Sequence, residues 1–187
     1  MKTLILMRHA KSDSKAEVKK ERNRPISKKG ARLARIAASQ LRAKIAPPQV
    51  ILASPSKKVG QTVDILTREI NFEGKVDKHK ALYMAEADTL LKLIRKLPEE
   101  MNTALIVGHN PGLESLIPTL THEIVALPHA GLAFLSLPVE RWKDVRQGMA
   151  AQLVEVLDPR EEPAPAPEIE TPENTTEAGV QKSPSAG

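Results

Sequence analysis

The sequence predicts an α/β fold: a three-layer α/β/α sandwich around a mostly parallel central sheet. Three observations carry that expectation. Short apolar runs of strand length recur at residues 4–7, 50–53 and 103–108. Stretches with apolar residues at helical spacing separate them, and a strand, helix, strand order favours parallel pairing through a crossover. The first and third runs each stop at a histidine, His9 and His109, followed by small or polar residues. Strands of an open α/β sheet deliver side chains in this way to a crevice at their carboxyl ends.

Composition sets the outer bounds. A chain of 187 residues has room for one domain with a full core and a tail. The domain is expected over residues 1–157. From 158 onward six of the fifteen prolines accompany glutamate, alanine, threonine and serine. Such a segment cannot bury enough apolar surface to offset its ordering entropy, so residues 158–187 are expected to be a disordered acidic tail. The net charge of +5 hides an asymmetry: the tail has seven acids against Arg160 and Lys182, leaving +10 on residues 1–157. A basic body attracts anions.

Nucleic acid is not the expected partner. The only aromatic side chains besides histidine are Phe72, Tyr83, Phe134 and Trp142, too few and too scattered for a stacking platform. The chain has no cysteine, which rules out disulfide scaffolds, thiolate metal sites and cysteine nucleophiles, and fits a reducing compartment. No apolar run approaches the length of a secretory or membrane-spanning segment. A cytoplasmic, membrane-free monomer is the expectation.

Taken in order, residues 4–7 form the first strand. Residues 15–24 are charged without periodicity and read as an exposed, mobile loop. Residues 28–46 read as a crossover helix, with Leu33, Ile36, Ala37, Gln40, Leu41 and Ile45 on one face and Ser27 as N-cap. Pro47 and Pro48 stop it, and residues 50–53 form the second strand. Ser54 is then a cap and Pro55 the first residue of a helix running to Ile70. Val76 opens a short strand in an otherwise connecting stretch, where His79 lies exposed among lysines. Leu82, Tyr83 and Met84 pack or frame a pocket. Residues 88–97 form a helix with Leu90, Leu91, Ile94 and Leu97 inward, stopped by Pro98.

Residues 103–108 are the clearest buried strand. Beyond His109, Asn110 suits an N-cap and Pro111 a first helical residue, and Pro118 should bend or end that helix near Ile117. Gly108 leaves room for close approach of backbone or ligand. An alternating strand follows at residues 132–137, His122 falls at the surface, Trp142 is a packing anchor, and residues 151–157 supply a last strand.

The chemistry sits at the strand ends. Arg8 and His9 place a fixed cation beside a neutral-pH nucleophile at the end of the first strand, where an anion such as a phosphoryl group can be held and attacked. Lys57 and Lys58 lie in the first turn of a helix whose amino end suits anions. His109 lies between a strand's carboxyl end and a helix's amino end, and two such histidines can share one site.

Arg8-His9-Ala10-Lys11-Ser12 resembles the Arg-His-Gly motif of the histidine phosphatase superfamily, and most of all its small SixA-type phosphohistidine phosphatase branch. The run from Ser54 to Val63 resembles the family's Ser-Pro-x-x-Arg-Ala-x-Gln-Thr-Ala motif, with Lys58 where the family has a phosphate-binding arginine. Gly108-His109-Asn110-Pro111-Gly112 resembles the second histidine motif, and the segment around His129 a late segment near the pocket where threonine is more usual. The resemblance implies a phosphoglycerate mutase-like sandwich and a phosphatase needing no metal or cofactor. His9 would be the nucleophile. Arg8, Ser12, Lys58, His109 and His129 would meet the phosphoryl group, His129 serving equally well as a rim or structural residue. The implied substrate is a phosphohistidine protein. A small phosphate ester, or phosphate binding with weak turnover caused by Lys58, are the alternatives. Glu86 is the nearest candidate for a general acid by chain order, though it reads as the start of a helix.

Overall fold

Six strands and four α-helices make up the described residues, 1–161, of a computed structural model. The strands are β1 (Lys2–Arg8), β2 (Val50–Ala53), β3 (Lys75–Lys78), β4 (Thr103–Gly108), β5 (Leu132–Leu137) and β6 (Gln152–Leu157). The helices are α1 (Lys28–Lys44), α2 (Lys57–Glu69), α3 (Ala87–Ile94) and α4 (Gly112–Thr121). The sheet order is β3-β2-β4-β1-β5-β6, with the first four strands mutually parallel and β5 antiparallel to both its neighbours. The expected three-layer, mostly parallel sandwich is the observed fold.

Alternate residues of β1, β2 and β4 bury into opposite layers, as the two-residue period of a strand requires. Ile5, Met7, Ile51, Ala53, Leu105 and Val107 pack against α1 and α2 through Leu33, Ala37, Leu41, Val59, Val63 and Leu66. Leu4, Leu6, Val50, Leu52, Ala104 and Ile106 pack against α3 and α4 through Leu90, Ile94, Leu113, Leu116 and Leu120. Covering on both faces explains why β5, expected to alternate, is buried at five of its six positions. Trp142 is fully buried in the second layer, its Nε1 donating to the Met101 carbonyl at 2.7 Å.

Helix ends depart from the expected positions where tertiary bonds outbid local ones. Helix α1 starts as expected, Ser27 Oγ accepting from Gly30 N, but ends at Lys44 because Ile45 is already extended. Helix α2 does not begin at Pro55 under a Ser54 cap: it begins at Lys57, and buried Ser54 turns its hydroxyl to His109. Asn110 does not cap α4, and Pro111 precedes rather than opens it; the Asn110 amide donates instead to Leu127 O at 3.1 Å.

Helix α4 continues through Pro118 to Thr121. Proline removes one N–H, but Leu120 and Thr121 beyond it are buried and Thr121 Oγ1 donates to Ile117 O, which holds the last turn together. Helix α3 ends at Ile94, short of residue 97, in a tightened turn where Leu97 N donates to Ile94 O. Gly108 is not a point of close approach, since a Cβ there would meet Leu113 at ordinary contact distance. That role falls to Gly112, whose Cβ would lie 1.8 Å from Ala85 O.

The stretch at 15–24 is more ordered than expected. A 3-10 turn at Glu21–Asn23, an isolated bridge between Ser12 and Ile26 and the Arg24 guanidinium on the carbonyls of Asp13 and Ala16 tie it to the body. Residues 158–161 follow β6 as a turn. The expectation of a disordered tail falls, from residue 162 on, outside the described residues. Among the described residues no helix is long and apolar enough to cross a membrane.

Candidate active site

Three neighbouring strands end side by side. Arg8 of β1 pairs in register with Gly108 of β4, and His9 N donates to Gly108 O at 3.1 Å. Ala53 of β2 pairs with Val107, and Ser54 N donates to Val107 O. The crossover from β1 leaves by α1 on one face and that from β4 by α4 on the other. The chain therefore parts between them and opens the crevice in which α/β sheets bind ligands. His9, His109 and Ser54 stand on its floor. On the other side of β1, the turn before β5 is tied down by Ala130 N on Arg8 O and Arg8 N on Gly131 O, which brings in His129.

The rings form one cluster. The His9 centroid lies 5.2 Å from that of His109 and 5.5 Å from that of His129, and Tyr83 meets His109 edge-on at 5.4 Å. His9 Nδ1 is 2.8 Å from the carbonyl of Ala10. A carbonyl can only accept, so Nδ1 carries the proton and the lone pair sits on Nε2. The backbone around it is held by Thr62, whose hydroxyl accepts from Ala10 N and donates to Lys58 O. His109 Nε2 lies 2.7 Å from Ser54 Oγ and 3.5 Å from Ser56 Oγ.

Burial pushes the His9 pKa down to about 3, with the charges of Lys58, His109 and His129 adding to the fall and the Ala10 hydrogen bond opposing it. Burial, then Lys58, pushes His109 down to about 4. His129 is also lowered, by burial first and then by Arg8. In the free protein the histidines are neutral and the fixed charge comes from Arg8 and Lys58.

The structure brings together five of the six expected site residues: Arg8, His9, Lys58, His109 and His129. Arg8 donates through Nη1 to Leu127 O while its buried Nε has no protein partner among the described residues. Lys58 is buried at the start of α2, its Nζ 3.0 Å from a carboxylate oxygen of Glu21. Ser12 has a backbone bridge to Ile26, and its side chain makes no hydrogen bond among the described residues. Glu86 is exposed at the amino end of α3, as its sequence neighbours indicate. His79 pairs with Asp77 at 3.3 Å.

Sequence reasoning did not find Ser54, Ser56, Thr62 and Glu21 as supports of the site. Ser54 and Thr62 lie inside a quoted motif, and their burial is the signal that separates them from caps and helix surface.

Comparison with known proteins agrees with this geometry. Residues 4–88 match the sequence model of the histidine phosphatase superfamily, branch 1, a span that contains Arg8, His9 and Lys58. An uncharacterized protein of Mycobacterium tuberculosis is 29% identical over 156 residues, covering 78% of this chain and 95% of that protein. The crystal structure of an Agrobacterium tumefaciens protein described as a candidate phosphohistidine phosphatase SixA superposes with a TM-score of 0.72 at 24% identity, covering 83% of this chain and 97% of the other. The protein histidine phosphatase SixA in complex with tungstate superposes equally well, with a TM-score of 0.72 at 17% identity over 84% of this chain and 97% of the other. Residues 4–88 thus resemble the histidine phosphatase superfamily in sequence, and the chain has the fold of these SixA proteins.

Proposed function

We propose that the protein is a phosphohistidine phosphatase acting through a covalent phosphohistidine on His9. The observation that carries this reading is the state of His9: buried, neutral and fixed as the tautomer with Nε2 free, in a crevice whose charged side chains are cations. The Nε2 lone pair attacks phosphorus, the phosphorus–nitrogen bond of the substrate breaks, and the electron pair stays on the released nitrogen of an imidazole protonated at its other nitrogen, which departs neutral. Water then attacks the phosphoenzyme, releasing phosphate and restoring neutral His9. Arg8 and Lys58 hold the equatorial oxygens through charge-assisted hydrogen bonds. His109 gains a proton when a phosphate dianion sits against it and donates to the growing negative charge.

The leaving group decides between substrate classes. An alkoxide must be protonated by a general acid, normally a carboxyl group. No carboxylate among the described residues hydrogen-bonds to His9 or His109 or perturbs their titration. Glu114, the acid nearest Arg8 in charge, already accepts from Leu127 N at 2.7 Å. A phosphohistidine ring protonated at its distal nitrogen, which the ordinary imidazole pKa of about 6.5 allows near neutral pH, leaves as neutral imidazole without a general acid from the protein. This favours a phosphohistidine protein over a small phosphate ester.

Steady-state hydrolysis of a phosphohistidine peptide beside an aryl phosphate tests the reading. The peptide is expected to be the better substrate, and acid-quenched enzyme to carry phosphate on His9. Wild-type turnover by His9→Ala would overturn the mechanism, and a strong preference for the aryl ester would overturn the substrate class. Phosphate binding without turnover of either substrate would mean a binding module.

A further inference from the structure

Lysine at position 58 raises a physical difficulty. Arginine presents a planar fork that holds its own aim at a phosphoryl group, whereas lysine is a point charge on a flexible four-carbon stem. Buried at the foot of the crevice, Lys58 can supply charge to the phosphoryl oxygens but cannot by itself supply direction.

The first loop supplies what the side chain lacks. Glu21 Oε1 lies 3.0 Å from Lys58 Nζ, and Glu21 Oε2 lies 2.8 Å from Arg24 Nε. The Arg24 guanidinium in turn donates to the carbonyls of Asp13 at 3.0 Å and Ala16 at 2.9 Å. The loop is clamped at its base to the helix that carries Lys58, since Ile26 N donates to Gln61 Oε1 of α2 at 2.9 Å. A continuous set of bonds thus runs from backbone carbonyls through Arg24 and Glu21 to the lysine tip.

The carboxylate holds the lysine from the solvent side. The Glu21 side chain is 55% exposed and that of Lys58 10%. The charge of Lys58 reaches both His9 and His109, while that of Glu21 perturbs neither. An ammonium has three protons to donate; with one spent outward on Glu21, two remain for phosphoryl oxygens, and the group need not leave Glu21 to bind them.

We propose that Glu21 is a positioning residue for phosphoryl transfer, holding the Lys58 ammonium in a fixed direction and so making a lysine serviceable where arginine would aim itself. The proposal rests on the reading above that Lys58 meets the phosphoryl group. It makes the charged loop at 15–24 a working part of the site, and it predicts that the loop matters only as long as position 58 is lysine.

The test is a double-mutant cycle in the full chain with wild type, Glu21→Gln, Lys58→Arg and the double variant, alongside Lys58→Ala. Hydrolysis of p-nitrophenyl phosphate gives kcat and KM, and inorganic phosphate is the competitive inhibitor. Glu21→Gln is expected to lower kcat/KM by about 10- to 100-fold, the scale of a misplacement of about 1 Å, and to weaken inhibition by phosphate. In the Lys58→Arg background the same substitution is expected to cost less than about 3-fold, because arginine keeps its own direction. An equal loss in both backgrounds would overturn the proposal in favour of a general role for the loop, and so would no loss in either. Wild-type kcat/KM in Lys58→Ala would instead overturn the underlying reading that Lys58 holds the phosphoryl group, so the two failures are distinguishable.

Discussion

The depressed histidines make folding stability depend on pH in a way that can be calculated. In the unfolded chain each histidine takes a proton near pH 6.5. In the folded protein His9 does so only at about 3 and His109 at about 4. Below pH 6.5 the unfolded state therefore binds more protons than the folded one, and stability falls as the pH is lowered. At pH 5 the unfolded histidine is stabilised by RT ln(1 + 10^1.5), about 2 kcal/mol, while either folded histidine gains only about 0.1 kcal/mol or less. His9 and His109 together are thus expected to remove about 4 kcal/mol of stability between pH 8 and pH 5, a large share of the total for a domain of this size.

Urea unfolding at the two pH values measures the loss. Comparing each protein with itself cancels the packing cost of a substitution. Wild type is expected to lose about 2 kcal/mol more than either His9→Asn or His109→Asn, and about 4 more than the double variant. If the double variant loses as much as wild type, or if the ring signals of His9 or His109 titrate near pH 6.5 by NMR, the depressed pKa values are wrong. The argument for a neutral nucleophile then fails with them.

Other expectations follow from single contacts. Ser54→Ala removes the hydroxyl 2.7 Å from His109 Nε2 and should cost about 1 kcal/mol of stability together with a fall in kcat, both measured on the same preparation. Thr62→Val leaves Ala10 N without its partner and should destabilise by about 1–3 kcal/mol, seen as a lower urea midpoint. Gly112→Ala sets a methyl group 1.8 Å from the backbone oxygen of Ala85 and is expected to exceed the usual 0.5–3 kcal/mol loss of a point substitution. Gly60→Ala, inside α2 with nothing within 4 Å of the new methyl, should raise stability by about 0.5–1 kcal/mol. The two glycine variants therefore shift the melting temperature in opposite directions.

What the sequence determined by itself is what short-range pattern encodes. The strands around residues 4–7, 50–53 and 103–108 are uninterrupted apolar runs, and α1 has both its periodicity and a Ser27 cap that the structure uses. Parallel pairing followed from the alternation of strands and helices. The meeting of His9 and His109 followed from both standing at carboxyl ends of strands on one parallel sheet. Tertiary structure alone decided the rest, in most cases because a side chain found a distant partner better than its local one. Ser54 left its cap position for His109, 55 residues away, and Asn110 left its own for Leu127, 17 residues away. Pro118 was carried inside α4 by the buried turn that follows it. Glu21, in a loop without periodicity, reached Lys58 across 37 residues. Local sequence states what a segment prefers in isolation. A hydrogen bond made in a buried crevice, where an unpaired group would cost about 1–3 kcal/mol, outweighs an N-cap worth about 1 kcal/mol, and which groups meet there depends on how the strands are ordered in the sheet.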